Sequence, residues 1–410
     1  MKIHKKSGIQ LSNHDVLMSL FGRVLIAVVF FAWNGAYGAA WELHSDSLLV
    51  FEYDDNKRLT SDQHEEVLGI SLTPGFSLTG TGPLVRTALK GYWTFTKYPM
   101  GNVDPEDKQM LVLDSQWDGQ TNKLRMAGQL IEDTTLVVHS VDDDAFGDEQ
   151  LDPEEGLTSV QINRRRYKLS PSWQYLFSNR FSVRFAYDGR GTQYSSDLDS
   201  GLIDFIHHKY LTSAIWNVDK LEQLGVTAGV QIFDPAEGSG TKSQSLDMFY
   251  SWRLTQISAF KLAAGYFKSE VDSAAEDIDY AGGTLSLTYA SGTEVQKNTY
   301  TLSRGLNPSS GGQMIISDRL AVNLRHNISQ RVSAIGSLSY LRNSVPEREV
   351  LKDNRMYYIG QAGISWALSR TLGLDVTYRY RNQKYDYSGD QADSNALFLT
   401  LRHRVPHQKM

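Results

Sequence analysis

From Trp41 onward, apolar and polar residues alternate nearly one for one. Phe181, Val183, Phe185 and Tyr187 interleave with Ser182, Arg184, Ala186 and Asp188. Leu320, Val322 and Leu324 interleave with Arg319, Asn323 and Arg325, and Leu372, Leu374, Val376, Tyr378 and Tyr380 with Asp375, Thr377, Arg379 and Arg381. A period of two is the signature of a strand with two different faces. It predicts strands at about 41–53, 65–79, 85–97, 108–118, 123–138, 158–177, 180–190, 204–217, 221–233, 243–255, 257–269, 279–291, 293–305, 313–327, 330–342, 354–368, 371–384 and 393–405. That makes eighteen, an even number. Most exceed ten residues, the length a tilted strand needs to cross a bilayer (~9–11 residues), against about five or six in soluble sheets.

The connections alternate too. After even-numbered strands they are short, as in Ser178-Asn179 or Ile328-Ser329; after odd-numbered strands they are long and polar, as in 54–64, 139–157 and 343–353. A soluble sandwich has no reason to sort loop length by parity. A membrane barrel does, with tight periplasmic turns at one rim and longer extracellular loops at the other. Lipid offers no partner to backbone amides, so only helices or closed barrels span it, and helical periodicity is absent here. The fold class expected is therefore all-β, a single transmembrane antiparallel β-barrel of about 18 strands. Aromatic residues near strand ends, including Trp93, Trp117, Trp173, Tyr175, Phe177, Trp252, Tyr266, Tyr289, Tyr340, Trp366 and Tyr378, suit interfacial girdles.

Residues 1–40 read differently. Lys2, Lys5 and Lys6 precede a short apolar run, Val24 to Trp33, and then small residues, Gly35-Ala36-Tyr37-Gly38-Ala39-Ala40. This is the pattern of a secretory signal peptide cleaved near 38–40, followed by a barrel over 41–405 and a short polar tail, 406–410. The implied destination is the outer membrane of a Gram-negative bacterium after Sec-dependent export. A mean hydropathy of -0.36 excludes a polytopic helical membrane protein. With 0 Cys there is no disulfide framework, thiolate site or cysteine nucleophile.

If the apolar row faces lipid, the other row faces the lumen. At that parity sixteen cations stand against four anions, Asp114, Asp188, Asp247 and Asp375. The cations expected to line the substrate path are Arg164, Arg166, Arg184, Arg253, Arg319, Arg325, Arg379 and Arg381. Acids instead crowd the long loops, above all 139–157, nominated here as a lumen plug. The chain carries a net charge of -6, so a basic interior is not a by-product of composition. Positive charge in a low-dielectric tube concentrates anions and repels cations. Arginine in particular suits bidentate contacts with carboxylate or phosphate. The bland alternative is that these arginines pair with lumen and loop acids and stiffen the wall.

The C-terminal third, Leu372-Gly373-Leu374-Asp375-Val376-Thr377-Tyr378-Arg379-Tyr380-Arg381, then Tyr385 and Tyr387, then Ser394-Asn395-Ala396-Leu397-Phe398-Leu399-Thr400-Leu401, resembles the β-barrel porin type 2 family. Members of that family accompany exopolysaccharide and capsule synthesis. The resemblance implies an outer-membrane channel that exports an exopolysaccharide, in an organism that builds biofilm. Strand number and basic lumen are also similar to the alginate exporter. The partners so implied are the secreted polysaccharide, outer-membrane lipid and lipopolysaccharide, the barrel-assembly machinery and a periplasmic export lipoprotein. The alternative reading is a general or solute-specific uptake porin, or a structural barrel without a transport role. Barrels of this kind usually end on an aromatic residue; here Val405 is the effective end, before Pro406 to Met410.

An enzyme is not expected. His207-His208 sends its two side chains to opposite faces of a strand, the other histidines lack ligand spacing, and no Gly-x-Ser-x-Gly elbow occurs. The reading is thus no catalytic residues, no metal, no cofactor and no nucleic-acid partner.

Overall fold

The computed structural model describes residues 40–62, 64–136, 161–195, 201–272, 278–345, 354–385 and 389–405, with the backbone of 408–409. The segment expected to be a signal peptide, the nominated plug at 139–157 and most of the polar tail lie outside these residues.

Eighteen long strands form the wall: β1 (Ala40–Asp54), β2 (Val67–Thr81), β3 (Val85–Met100), β4 (Glu106–Asp118), β5 (Asn122–Thr134), β6 (Asn163–Leu176), β7 (Phe181–Ser195), β8 (Phe205–Asn217), β9 (Glu222–Pro235), β10 (Gly240–Trp252), β11 (Ser258–Asp272), β12 (Ile278–Gly292), β13 (Gln296–Pro308), β14 (Met314–Asn327), β15 (Val332–Ser344), β16 (Arg355–Ala367), β17 (Leu372–Tyr385) and β18 (Gln391–Arg404). Each pairs antiparallel with its sequence neighbour, and β1 closes on β18 from Asp46↔Arg404 to Asp54↔Ala396. Closure leaves no free edge around the ring, which is what lipid demands. A two-residue strand, β19 (Gln408–Lys409), returns to pair with Glu42 and Leu43, tying the chain end to the first strand.

The large apolar side chains point out. Leu246, Met248, Leu397, Leu399, Val376 and Ile364 are all exposed, as a lipid-facing surface must be in the absence of lipid. Aromatic groups mark two levels. Near the short turns, Trp173, Tyr175, Phe177, Phe181 and Trp216 form a continuous chain of ring contacts. Toward the long loops, Tyr187 meets Tyr210 and Tyr340 meets Tyr358.

Four loops expected to be long are not. The spans 98–107, 234–242, 270–278 and 306–312 reduce to 101–105, 236–239, 273–277 and 309–313. The strands instead continue upward past the apolar band. Beyond the hydrocarbon the apolar alternation is no longer required, so polar residues such as Lys242 and Glu270 extend the ladder where sequence pattern alone suggests loop. Outward-facing ion pairs at this end, Arg304 with Asp318 at 3.0 Å and Lys268 with Asp279 at 3.0 Å, fit a level above the apolar core of the membrane.

Candidate functional site: the lumen

At its long-loop end the lumen is filled from the inside. The loop after β1 folds inward: Asn56 Nδ2 donates to the carbonyls of Thr60 and Asp393, and Leu59 packs on Leu341, Tyr357 and Ile359. On the other side, the β12–β13 ladder stops at Leu285↔Arg304, although both strands run further. The freed tip of the β13–β14 hairpin leans inward, and Leu306 and Met314 pack on Phe205, Phe233 and Phe267. The Ile203 amide donates to the carbonyl of Ser310 at 2.7 Å. Gly312 makes that approach possible: its φ is +78°, and a Cβ there would meet Ile203 at 2.7 Å.

The infolded loop covers a charged cluster. Asp54 is fully buried; its Oδ2 accepts from Arg381 Nη2 at 2.9 Å and Arg379 Nη2 at 3.2 Å, and its Oδ1 accepts from Ser394 Oγ at 2.7 Å. The Arg381 guanidinium also donates to the carbonyls of Asn56 and Lys57, while Arg379 stacks over Phe398 at 4.5 Å. Lys57 holds Glu52 through two hydrogen bonds of 2.9 Å. Burial alone would lower the Lys57 pKa, but the Glu52 carboxylate outweighs it and keeps the ammonium above the ordinary lysine range. These groups come from β1, β17 and β18, so the cluster straddles the seam where the barrel closes. A second cluster sits on β5–β6: Arg164 grips Asp133 with bonds of 2.8 and 3.2 Å, and Arg166 adds one of 2.6 Å.

The eight arginines expected in the path therefore separate. Arg164, Arg379 and Arg381 share the inward parity but are buried and ion-paired. Arg166 is mostly buried beside Asp133. Arg184 is exposed and donates to Gln174 Oε1 at 2.9 Å; Arg319 and Arg325 are half-buried on the inner face of β14. Arg253 lies past the end of β10, in the exposed turn before β11, where strand parity no longer applies.

The ratio of sixteen cations to four anions also changes. Glu52, Asp54, Glu106 and Asp133 are inward and buried, and they neutralise much of the upper lumen. Two signals concealed them. In β1 the run Leu48-Leu49-Val50-Phe51 has no alternation, so its parity is unreadable; in β4 and β5 the acids sit at the loop ends. Toward the short turns the charge asymmetry persists. Arg125 pairs with Asp114 but is 60% exposed, and Arg184 and Lys261 are exposed as well. His207 and His208 do face opposite ways: His208 bonds Tyr187 outside, and His207 bonds Gln231 inside. Among the described residues no group of three His, Asp or Glu side chains is placed to hold a metal.

Residues 249–405 match the family model described as "Putative beta-barrel porin 2". No curated protein matches the sequence significantly. Solved structures with a similar outline include the outer membrane protein opdK from Pseudomonas aeruginosa, at 11% identity and TM-score 0.44 over 88% of this chain and 99% of that one. A BenF-like porin from Pseudomonas fluorescens Pf-5 matches at 9% identity and TM-score 0.45 over 90% and 99%. OccK2 (OpdF) of Pseudomonas aeruginosa matches at 10% identity and TM-score 0.47 over 89% and 98%. The strand pairing, with the family match over 249–405, describes a β-barrel of the Gram-negative outer membrane.

Proposed function

We propose that this barrel is a passive uptake porin for small anionic solutes, a channel rather than an enzyme. The observation that carries the reading is the division of the lumen. Its short-turn half presents exposed cations (Arg125, Arg184, Lys261, with Lys168 and Arg190 above them), whereas its long-loop half is narrowed by the β13–β14 tip and the 55–62 loop. A narrow, positively biased tube passes small anions and disfavours cations.

Export of an exopolysaccharide, with a periplasmic lipoprotein as partner, is the second reading. It is supported by the resemblance of 372–381 and 394–401 and by the family match over 249–405. The infolded segments favour a small solute over a hydrated polymer. Reversal potentials across planar bilayers under a salt gradient test the first reading: anion selectivity is expected, and a cation-selective channel would overturn it. Polymer secretion from a strain lacking the protein tests the second; loss of secretion would restore export as the better account.

A further inference from the structure

We propose that the inner wall of β6–β9 holds a binding subsite for the carboxylate of a small solute. The inference rests on the anion-porin reading and names where in the lumen the anion pauses. Lys168 lies opposite Arg190, and Arg190 opposite His207. One step toward the short turns, Asp188 lies opposite Lys209, and Lys209 opposite Gln231. All share the inward parity, so three cations converge on one stretch of wall.

One acid touches them directly. Asp188 accepts from Arg190 Nε at 2.7 Å and from Ser170 Oγ at 2.8 Å, and Lys168 Nζ stands 3.5 Å away. Asp247 of β10 also acts on Lys209, so two carboxylates against three cations leave this patch positive by one charge. Lys209 has no hydrogen-bond or ion-pair partner among the described residues, although it is half-buried. His207 is 3% exposed; its Nε2 meets Gln231 Oε1 at 3.2 Å, while its buried Nδ1 has no hydrogen-bond partner. A half-buried ammonium without a direct ion-pair contact and a buried polar ring with an unused nitrogen are what a wall looks like when a ligand completes it.

The chemistry selects an anion with planar, paired acceptors. Arg190 and Lys168 remain 40% and 43% exposed, so both can turn donors to the lumen while still touching Asp188. The guanidinium matches a carboxylate edge, Lys209 adds a point charge, and partial burial strengthens both attractions relative to the open vestibule. Phe205 and Phe233, held under the hairpin tip, form the apolar ceiling above this patch. A solute moving from that narrow level toward the short turns meets the patch next. Asp188 competes for the same donors and keeps the hold weak enough for release.

The test is block of chloride current by benzoate in planar bilayers. Lys209→Met and Arg190→Gln should each raise the half-blocking concentration about tenfold, roughly 1.4 kcal/mol. Lys209→Arg should retain block, which separates a lost charge from a misfolded barrel. Lys261→Gln removes a lumen charge elsewhere and should shift the value by less than about twofold. Equal shifts in Lys261→Gln and Lys209→Met would overturn the subsite in favour of a diffuse field, as would an anion-selective channel that benzoate does not block. A cation-selective wild-type channel would defeat the anion-porin reading itself, and the subsite with it.

Discussion

Replacing Asp54 by Asn should weaken the whole barrel, because Asp54 is the shared acceptor at the closure seam. It belongs to β1, the arginines it binds to β17, and the hydroxyl that completes it to β18. The side chain is fully buried, with Arg379 and Arg381 at 2% and 1% exposure. The substitution keeps the shape but turns an amide toward two guanidinium groups that water cannot reach. Breaking a buried pair by removing one partner costs about 3–5 kcal/mol. Here Glu52, 3.6 Å from Arg379, retains part of the compensation, which places the expectation at about 3 kcal/mol, or roughly a hundredfold in the unfolding constant. The comparison is Asp318→Asn, which breaks the outward Arg304–Asp318 pair, whose side chains are 46% and 32% exposed. That pair is worth about 0–1 kcal/mol. Reversible urea unfolding in lipid vesicles, followed by tryptophan fluorescence, measures both. The triple variant Asp54→Leu, Arg379→Met, Arg381→Met removes all three charges and should recover part of the loss. If Asp54→Asn destabilised no more than Asp318→Asn, the seam cluster would not be a determinant of closure.

The other predictions are briefer. Leu306→Ser with Met314→Ser removes the apolar grip of the hairpin tip, worth about 2–5 kcal/mol per large side chain, and single-channel conductance should rise; an unchanged conductance would mean the tip does not narrow the path. Replacing Arg125, Arg184, Lys261 and Arg325 by Gln together should lower anion selectivity without loss of folded barrel, and reversal potentials read the change. Lys57 has a raised pKa, so its contribution to seating the loop is complete below the ordinary lysine value and is lost only as pH rises through the higher folded value. Conductance should accordingly show no Lys57-linked step between about pH 6 and 9, and a step there that Lys57→Met abolishes would contradict the ion pair with Glu52. Epitope tags within 139–157 should be reached from outside intact cells and tags in the turn at 178–179 should not; the reverse result would invert the topology.

Strand number, strand order and the lipid-facing row were legible along the chain because they follow from a local rule. Each crossing must present apolar side chains to lipid every second residue, and each hairpin pairs neighbours in sequence, so Phe181 to Tyr187 or Leu372 to Tyr380 carry the information themselves. The inward orientation of Arg379 and Arg381 was legible by the same rule. Their chemical state was not. Whether an inward arginine meets water or a carboxylate depends on what the far side of the ring delivers, and Asp54 lies more than three hundred residues away in sequence. The loop that seals the cluster reaches Leu341 and Tyr357, strands it neighbours only because the barrel closes. The same holds for the β13–β14 tip, whose sequence continues the strand pattern while its ladder to β12 ends at Leu285↔Arg304. Alternation specifies two faces, and in the upper lumen the apolar contacts with Phe205, Phe233 and Phe267 draw that tip out of the wall. Local periodicity thus set the wall of this protein, and closure of the ring, which brings distant charges and apolar groups into one dehydrated interior, decided which of its cations face the path.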